Sequence, residues 1–206
     1  MKLDHFAWAT SSIQKGVDEF VRLGGPVAAF GGSHSGQGTC NALASLGDGI
    51  YLAIDAPDPT QDQKGTYGEV LSRLQGFDLN VFAIACEDLR PALKVMRSHG
   101  IDCEIVQKIR VRPDGVEMKS SVLETSGHSY GKAMPHFMQW HTDKHPSLTA
   151  PGGCSFVEFH VEHPEPGEIA DFYHGFGLNI SVKAALLPKL SLALRGSKGD
   201  FLLPSL

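Results

Sequence analysis

Apolar and polar positions along this chain fall into a pattern that recurs. HFAWATSSIQKGVDEFVRLG from His5, VFAIACEDLRPALKVMRSHG from Val81 and EFHVEHPEPGEIADFYHGFG from Glu158 align without a gap. Phe6, Phe82 and Phe159 coincide, as do Gly24, Gly100 and Gly177, a period of about 77 residues that marks repeated supersecondary units. Each copy starts on a short apolar run of strand character, broken in the third by Glu158, His160 and Glu162, and then passes into a helix. Ser11 or Ser12 caps the first helix and Asp88 the second, because a side-chain oxygen there accepts from an unpaired N–H of the first turn. Ile13, Val17, Phe20 and Val21, and again Leu89, Leu93 and Met96, form apolar stripes at helical spacing that face a core. The glycines end the helices, since a left-handed residue costs least there.

Strand-like segments follow each helix. PVAAF, TCNALASL and IYLAIDAP come after the first, with Gly47-Asp48-Gly49 as a turn between the last two. CEIVQKIRV, GVEMKSSVLETS and PHFMQWH come after the second, around the hairpin turn Pro113-Asp114-Gly115. NISVKAALL, LSLALRG and DFLLPS come after the third. The expected fold is α+β, built from three βαβββ units over residues 1–59, 79–142 and 154–206. Residues 60–78 read as a helical connector in which Tyr67, Val70, Leu71 and Leu74 share a face, and 143–153 as a linker or a loop over a cleft.

Composition narrows the function classes. A chain of 206 residues, 42% hydrophobic and 20% charged, can bury a sizeable core. Its 18 basic and 23 acidic residues give a formal charge of −5 with no basic run, which speaks against nucleic acid as a partner. Asp4 and His5 fall where a signal peptide needs an apolar core, and no stretch approaches the roughly 18 apolar residues of a membrane span. The expected setting is cytoplasmic, without a membrane partner. Cys40, Cys86, Cys103 and Cys154 are scattered without a CxxC pair and read as reduced thiols.

The run GGSHSGQGTCNALASLGDG (31–49) invites a phosphate-loop reading that its own residues refuse. Gln37 stands where a P-loop needs lysine, and alternating strand residues follow where a dinucleotide fingerprint needs a helix. The glycines instead let the backbone bend and lie close against the mouth of a sheet.

With LDHFAWAT, the block GGSHSGQGTCNALASLGDGIYLAIDAPDP and the strand MPHFMQWH, the chain resembles glyoxalase-like domain proteins of the vicinal oxygen chelate superfamily over most of residues 3–142. The resemblance implies two βαβββ units curled into a half-barrel cup, with the third unit as a C-terminal extension. It also implies a divalent cation held by the first and last strands of each unit, at places that here carry His5, Ala53, Val81 and Met138. Three of these cannot ligate a metal as a carboxylate or imidazole does, so a divalent ion is disfavoured and the cofactor is open. A rescued site needs Asp55 with Cys40 or His34.

Without metal, His5 reads either as a general acid or base or as a hydrogen-bonded interior histidine. Cys40 as a nucleophile needs a depressed pKa. Asn41, Gln139 and Trp140 are candidates to orient a ligand, or amides and rings satisfied by neighbouring backbone. His136, His141 and His145 crowd one strand end, but alternation sends the first two to opposite faces. The Glu158, His160 and Glu162 alternation reads as a solvated face, and the charges of RVRPDGVEMK as solubility and edge protection. The expected partner is a small organic molecule, bound by a monomer or homodimer. It is either turned over by lyase, isomerase or oxygenase chemistry, or held without catalysis as bleomycin resistance proteins hold theirs.

Overall fold

The structure, a computed structural model, describes residues 1–142 and 144–206. The first unit runs β1 (Lys2–Thr10), α1 (Ile13–Leu23), β2 (Ala29–His34), β3 (Thr39–Ser45) and β4 (Tyr51–Pro57). A short helix α2 (Tyr67–Ser72) leads to the second unit, β5 (Phe77–Ala85), α3 (Arg90–Ser98), β6 (Asp102–Val111), β7 (Glu117–Ser126) and β8 (His136–Trp140). The third runs β9 (Ser155–His163), α4 (Pro166–Gly175), β10 (Ser181–Ala184), β11 (Lys189–Gly196) and β12 (Gly199–Leu202).

The first two units share one curled eight-stranded sheet in the order β2-β3-β4-β1-β5-β8-β7-β6. In each unit the first strand lies parallel to the fourth, β1 with β4 and β5 with β8, and the units join through the antiparallel pair β1 and β5. Period-two alternation then sorts the side chains. Phe6, Trp8, Leu52, Ile54, Phe82 and Ile84 enter the main core on the convex side, while His5, Ala53, Asp55 and Ala83 face the concave side. Alanine on that floor leaves the cup hollow.

The third unit covers the convex face. Its Phe159 ring lies 4.9 Å from Phe6 and 5.0 Å from Phe82, and Tyr173 donates a hydrogen bond to the Ala133 carbonyl. Each such buried aromatic contributes about 1.5–3 kcal/mol of apolar burial, so the extension is part of the core. Its element order repeats that of the other units, but its pairing differs. The sheet order is β10-β9-β11-β12, with β10 parallel to β9. No described helix is long and apolar enough to cross a membrane.

Local expectations held unevenly. Gly24, Gly100 and Gly177 all take positive φ after their helices. Asp88 accepts from the Arg90 N–H at 2.9 Å although Leu89 holds the cap position, and Ser12 occupies its cap position without a side-chain bond. The strand expected at PVAAF is displaced toward the glycines: β2 is AFGGSH and forms a hairpin with β3. In α2 the expected face is turned. Gly68 and Leu71 are buried and Val70 is exposed, because the helix meets the loop after β2 through Gly68, whose N–H bonds the Gln37 carbonyl. The thiols are free, as expected.

Gly32 decides how far the sheet curls. Its φ is +120° and a β-carbon there would stand 2.7 Å from the Val111 carbonyl oxygen, so the two edges of the sheet, β2 and β6, approach each other backbone to backbone.

Candidate active site

The hollow bounded by this curl is a cavity of about 520 Å³ whose lining includes His5, His34, Asn41, Asp55, Arg110 and Trp140. Four strands set its floor in one row. Tyr51 on β4 pairs with His5 on β1, His5 pairs with Ala83 on β5, and Ala83 with His136 on β8.

His5 is positioned by an irregularity. In the β1–β5 ladder Leu3 pairs with Ile84 and His5 with Ala83, so Asp4 is the extra residue of a bulge. Neighbouring strand residues normally point apart, whereas here Asp4 Oδ2 lies 2.7 Å from His5 Nδ1. The Asp4 carboxylate is buried and accepts from three donors, adding His145 Nε2 at 2.9 Å and Trp140 Nε1 at 3.0 Å. Burial alone would raise its pKa, but the hydrogen bonds and charges of His145 and His5 outweigh this and hold it well below the usual carboxylate range. Ser147 donates its backbone N–H to His145 Nδ1, which leaves the His145 proton on Nε2 to bond Asp4. His5 in turn gives Nδ1–H to Asp4 and keeps Nε2 without a partner among the described residues. Its ring stacks on Tyr51 with centroids 4.6 Å apart.

A second network lies toward the β2 edge. Arg110 Nη1 donates to Asn41 Oδ1 at 2.8 Å, Asn41 Nδ2 donates to His34 Nε2 at 3.1 Å, and His34 Nδ1 bonds Thr39 Oγ1 at 2.9 Å. Burial, with the Arg110 and His5 charges, lowers the His34 pKa to about 4, so this imidazole is neutral at pH 7. His136, open to the cavity but surrounded by protein, is also pushed down to about 4 by burial and then by His5 and His128. Asp55 stands across from Asn41, its Oδ1 buried and without a partner among the described residues. Burial pushes its carboxyl up to about 6 against the pull of His5, Arg110 and Asn41.

The Asp55 shift has a sign that can be measured. The folded form holds its proton above the unfolded value of 3.8, so ionisation of Asp55 costs stability as pH rises through about 6. Asp55→Asn should therefore raise the melting temperature by roughly 3–6 °C at pH 7.5, with the gain vanishing near pH 4. Thermal melts of both proteins across that range check it, and an unchanged or lowered value at pH 7.5 would contradict the burial of the charge.

A family model described as glyoxalase-like domain matches residues 3–177. The chain belongs to that family. No curated protein matches this glyoxalase-like chain in sequence. Among solved structures, a hypothetical protein from Staphylococcus aureus superposes with TM-score 0.70 at 13% identity, over 100% of this chain and 99% of the other. That likeness shows the fold of the whole chain, extension included. Methylmalonyl-CoA epimerase from Mycobacterium tuberculosis is similar over 68% of this chain and 86% of its own, at TM-score 0.46 and 17% identity. A Streptomyces coelicolor methylmalonyl-CoA epimerase in complex with 2-nitronate-propionyl-CoA is similar over 70% and 99%, at TM-score 0.48 and 17% identity.

The glyoxalase-like cup does not fit the divalent ion of its superfamily. Of the implied ligand places, Ala53 and Met138 line the cavity without a donor suited to it, and Val81 is not among the lining residues. No described group of three or more His, Cys, Asp or Glu stands close enough to hold an ion.

Of the other residues singled out, His34, Asn41, Asp55 and Trp140 gather with His5 at the cavity, while Cys40 and Gln139 do not. Cys40 alternates away with its Sγ near the Pro57 carbonyl, and burial pushes its thiol up to about 11, the reverse of an activated nucleophile. Gln139 alternates away from Met138 and Trp140 and donates to the Glu87 carbonyl. His141 is likewise outside, bonded to Ser121.

Sequence reasoning missed Asp4 and Arg110 as site residues, and named His136 and His145 only in a cluster with His141 that it set aside. His136 was within reach of it, since it shares a strand face with Met138. Arg110, read as edge protection, is instead turned into the cup. Asp4 was legible only as a polar interruption, and His145 only as a histidine beyond the strand end, with nothing to bring it back to β1. It is delivered by the segment before β9, where Ala150 packs on the Leu43, Tyr51 and Ala53 cluster.

Proposed function

We propose that the cup binds a small organic molecule and that His5 acts on it as a general base, in chemistry of the isomerase or lyase class. The observation that supports this most is the Asp4–His5 pair. A buried carboxylate on Nδ1 selects the tautomer with its lone pair on Nε2, and that nitrogen belongs to a residue of the cavity wall. Proton abstraction next to a carbonyl needs this base and a donor for the oxygen that gains charge. Asp55, with its pKa pushed up to about 6, can hold a proton for that second task below about pH 6, and above it Arg110 offsets the charge.

The test combines binding and exchange. A thermal-shift screen of α-ketoaldehydes and small aromatic carbonyl compounds finds ligands, since a molecule bound only by the native state raises the melting temperature. Proton NMR in D2O then follows loss of C–H signal from each hit. Wild type should exchange a proton of at least one ligand, and His5→Gln should bind it but exchange it at least about 100-fold more slowly. Exchange at the wild-type rate in His5→Gln would remove His5 from the reaction.

One observation favours a second reading, a non-catalytic binding protein. The floor carries Ala53, Ala83, Val122 and Met138, an apolar surface suited to holding a ligand. Under this reading hits raise the melting temperature and no wild-type exchange is seen.

A further inference from the structure

The cavity-lining cations are not alike. Lys108 is paired with Glu124, whereas Arg110 forms no ion pair among the described residues. Arg110 is half-buried, and among the described residues only its Nη1 is engaged, by the neutral Asn41 amide. A guanidinium presents five N–H donors in a planar fork, so most of that fork is left to whatever enters the cup.

The fork is also held in place. Arg110 comes from β6 of the second unit and Asn41 from β3 of the first, 69 residues apart in sequence. Asn41 is itself oriented by His34, and His34 by Thr39. Space for the Asn41 amide is left by Gly31, where a β-carbon would stand 2.4 Å from Asn41 Oδ1. Gly31 thus helps place Arg110 through the Asn41 amide.

We propose that Arg110 is the anchor for a small organic monocarboxylate, docked on the free edge of the guanidinium with the rest of the molecule extending toward His5. The part of this that concerns His5 rests on the base role argued above; the anchor itself does not. A planar carboxylate matches the fork in two parallel hydrogen bonds. A phosphate dianion fits less well, because Asp55 contributes a carboxylate to the same cavity wall and a single unpaired guanidinium would face both. A cavity of about 520 Å³ leaves room for a small organic molecule beyond the carboxylate itself. Asn41 is a positioning residue, which acts through Arg110.

Calorimetric titration of the full chain at pH 7 and low salt provides the test. The probes are pyruvate, propionate and benzoate, their neutral amides, and inorganic phosphate. At least one carboxylate should bind, at least about tenfold more tightly than its amide. Arg110→Gln should lose that preference and Arg110→Lys keep part of it. Equal affinity for carboxylate and amide in wild type overturns the proposal without any variant. So would undiminished carboxylate binding in Arg110→Gln, binding of phosphate in preference, or binding of none of the carboxylates. Failure of the base role reads differently: Arg110-dependent carboxylate binding would persist with no exchange in D2O.

Discussion

Asp4→Ala is expected to destabilise the fold by about 3 kcal/mol or more, the largest effect of any polar substitution in the cup. The carboxylate is 1% exposed and accepts from His5, His145 and Trp140, so its removal strands three half-buried donors at once. Asp4→Asn keeps the volume but sets an amide donor against imidazole donors, and should cost less. Urea unfolding checks both through a lowered midpoint at unchanged slope. Because the Asp4 pKa is depressed in the fold, its contribution is complete above the unfolded value of 3.8 and is lost as pH falls below it. The gap between wild type and Asp4→Asn should therefore persist down to about pH 4 and close under stronger acid. A midpoint for Asp4→Ala equal to that of wild type would mean that the three donors find other partners. In the exchange assay, Asp4→Asn should slow the reaction by about 10²- to 10⁴-fold, since the ring loses both its tautomer and its orientation.

The second large effect lies in the glycine run. Gly32→Ala should cost about 3 kcal/mol or more, from a side chain forced into φ +120° and a β-carbon 2.7 Å from the Val111 carbonyl oxygen. Backbone cannot step aside as a flexible side chain would, so the sheet edges must part. Val111 follows Arg110 directly, and the substitution should weaken carboxylate binding along with stability. Gly36→Ala is the control. It also has positive φ, +74°, but nothing stands within 4 Å of its β-carbon, and it should cost only about 1 kcal/mol and leave binding intact. Equal midpoints for the two variants would show that the close approach of the two edges at Gly32 carries no stability.

Much of the site was legible residue by residue. Period-two alternation from His5 and Ala53 leads to Asp55 on the same face, and from Met138 to His136 and Trp140, and all of these line the cavity. It also separates Cys40 from Asn41 and Gln139 from Trp140, because adjacent strand residues face apart. The same rule fails at Asp4, where the bulge places two neighbouring side chains in contact. A bulge depends on how two strands pair, and no local pattern carries it.

The sequence by itself determined the repeated βαβββ order and most of the strand faces, because these depend on residues within one element or one period. Only the tertiary structure decided what stands around His5. The Asp4–His145 bond spans 141 residues and the Arg110–Asn41 bond 69. The second exists because small twists between neighbouring strands add up across eight strands until the sheet edges meet at Gly32, and the first because the segment carrying His145 packs back through Ala150 on the Leu43, Tyr51 and Ala53 cluster; neither is written in any one element.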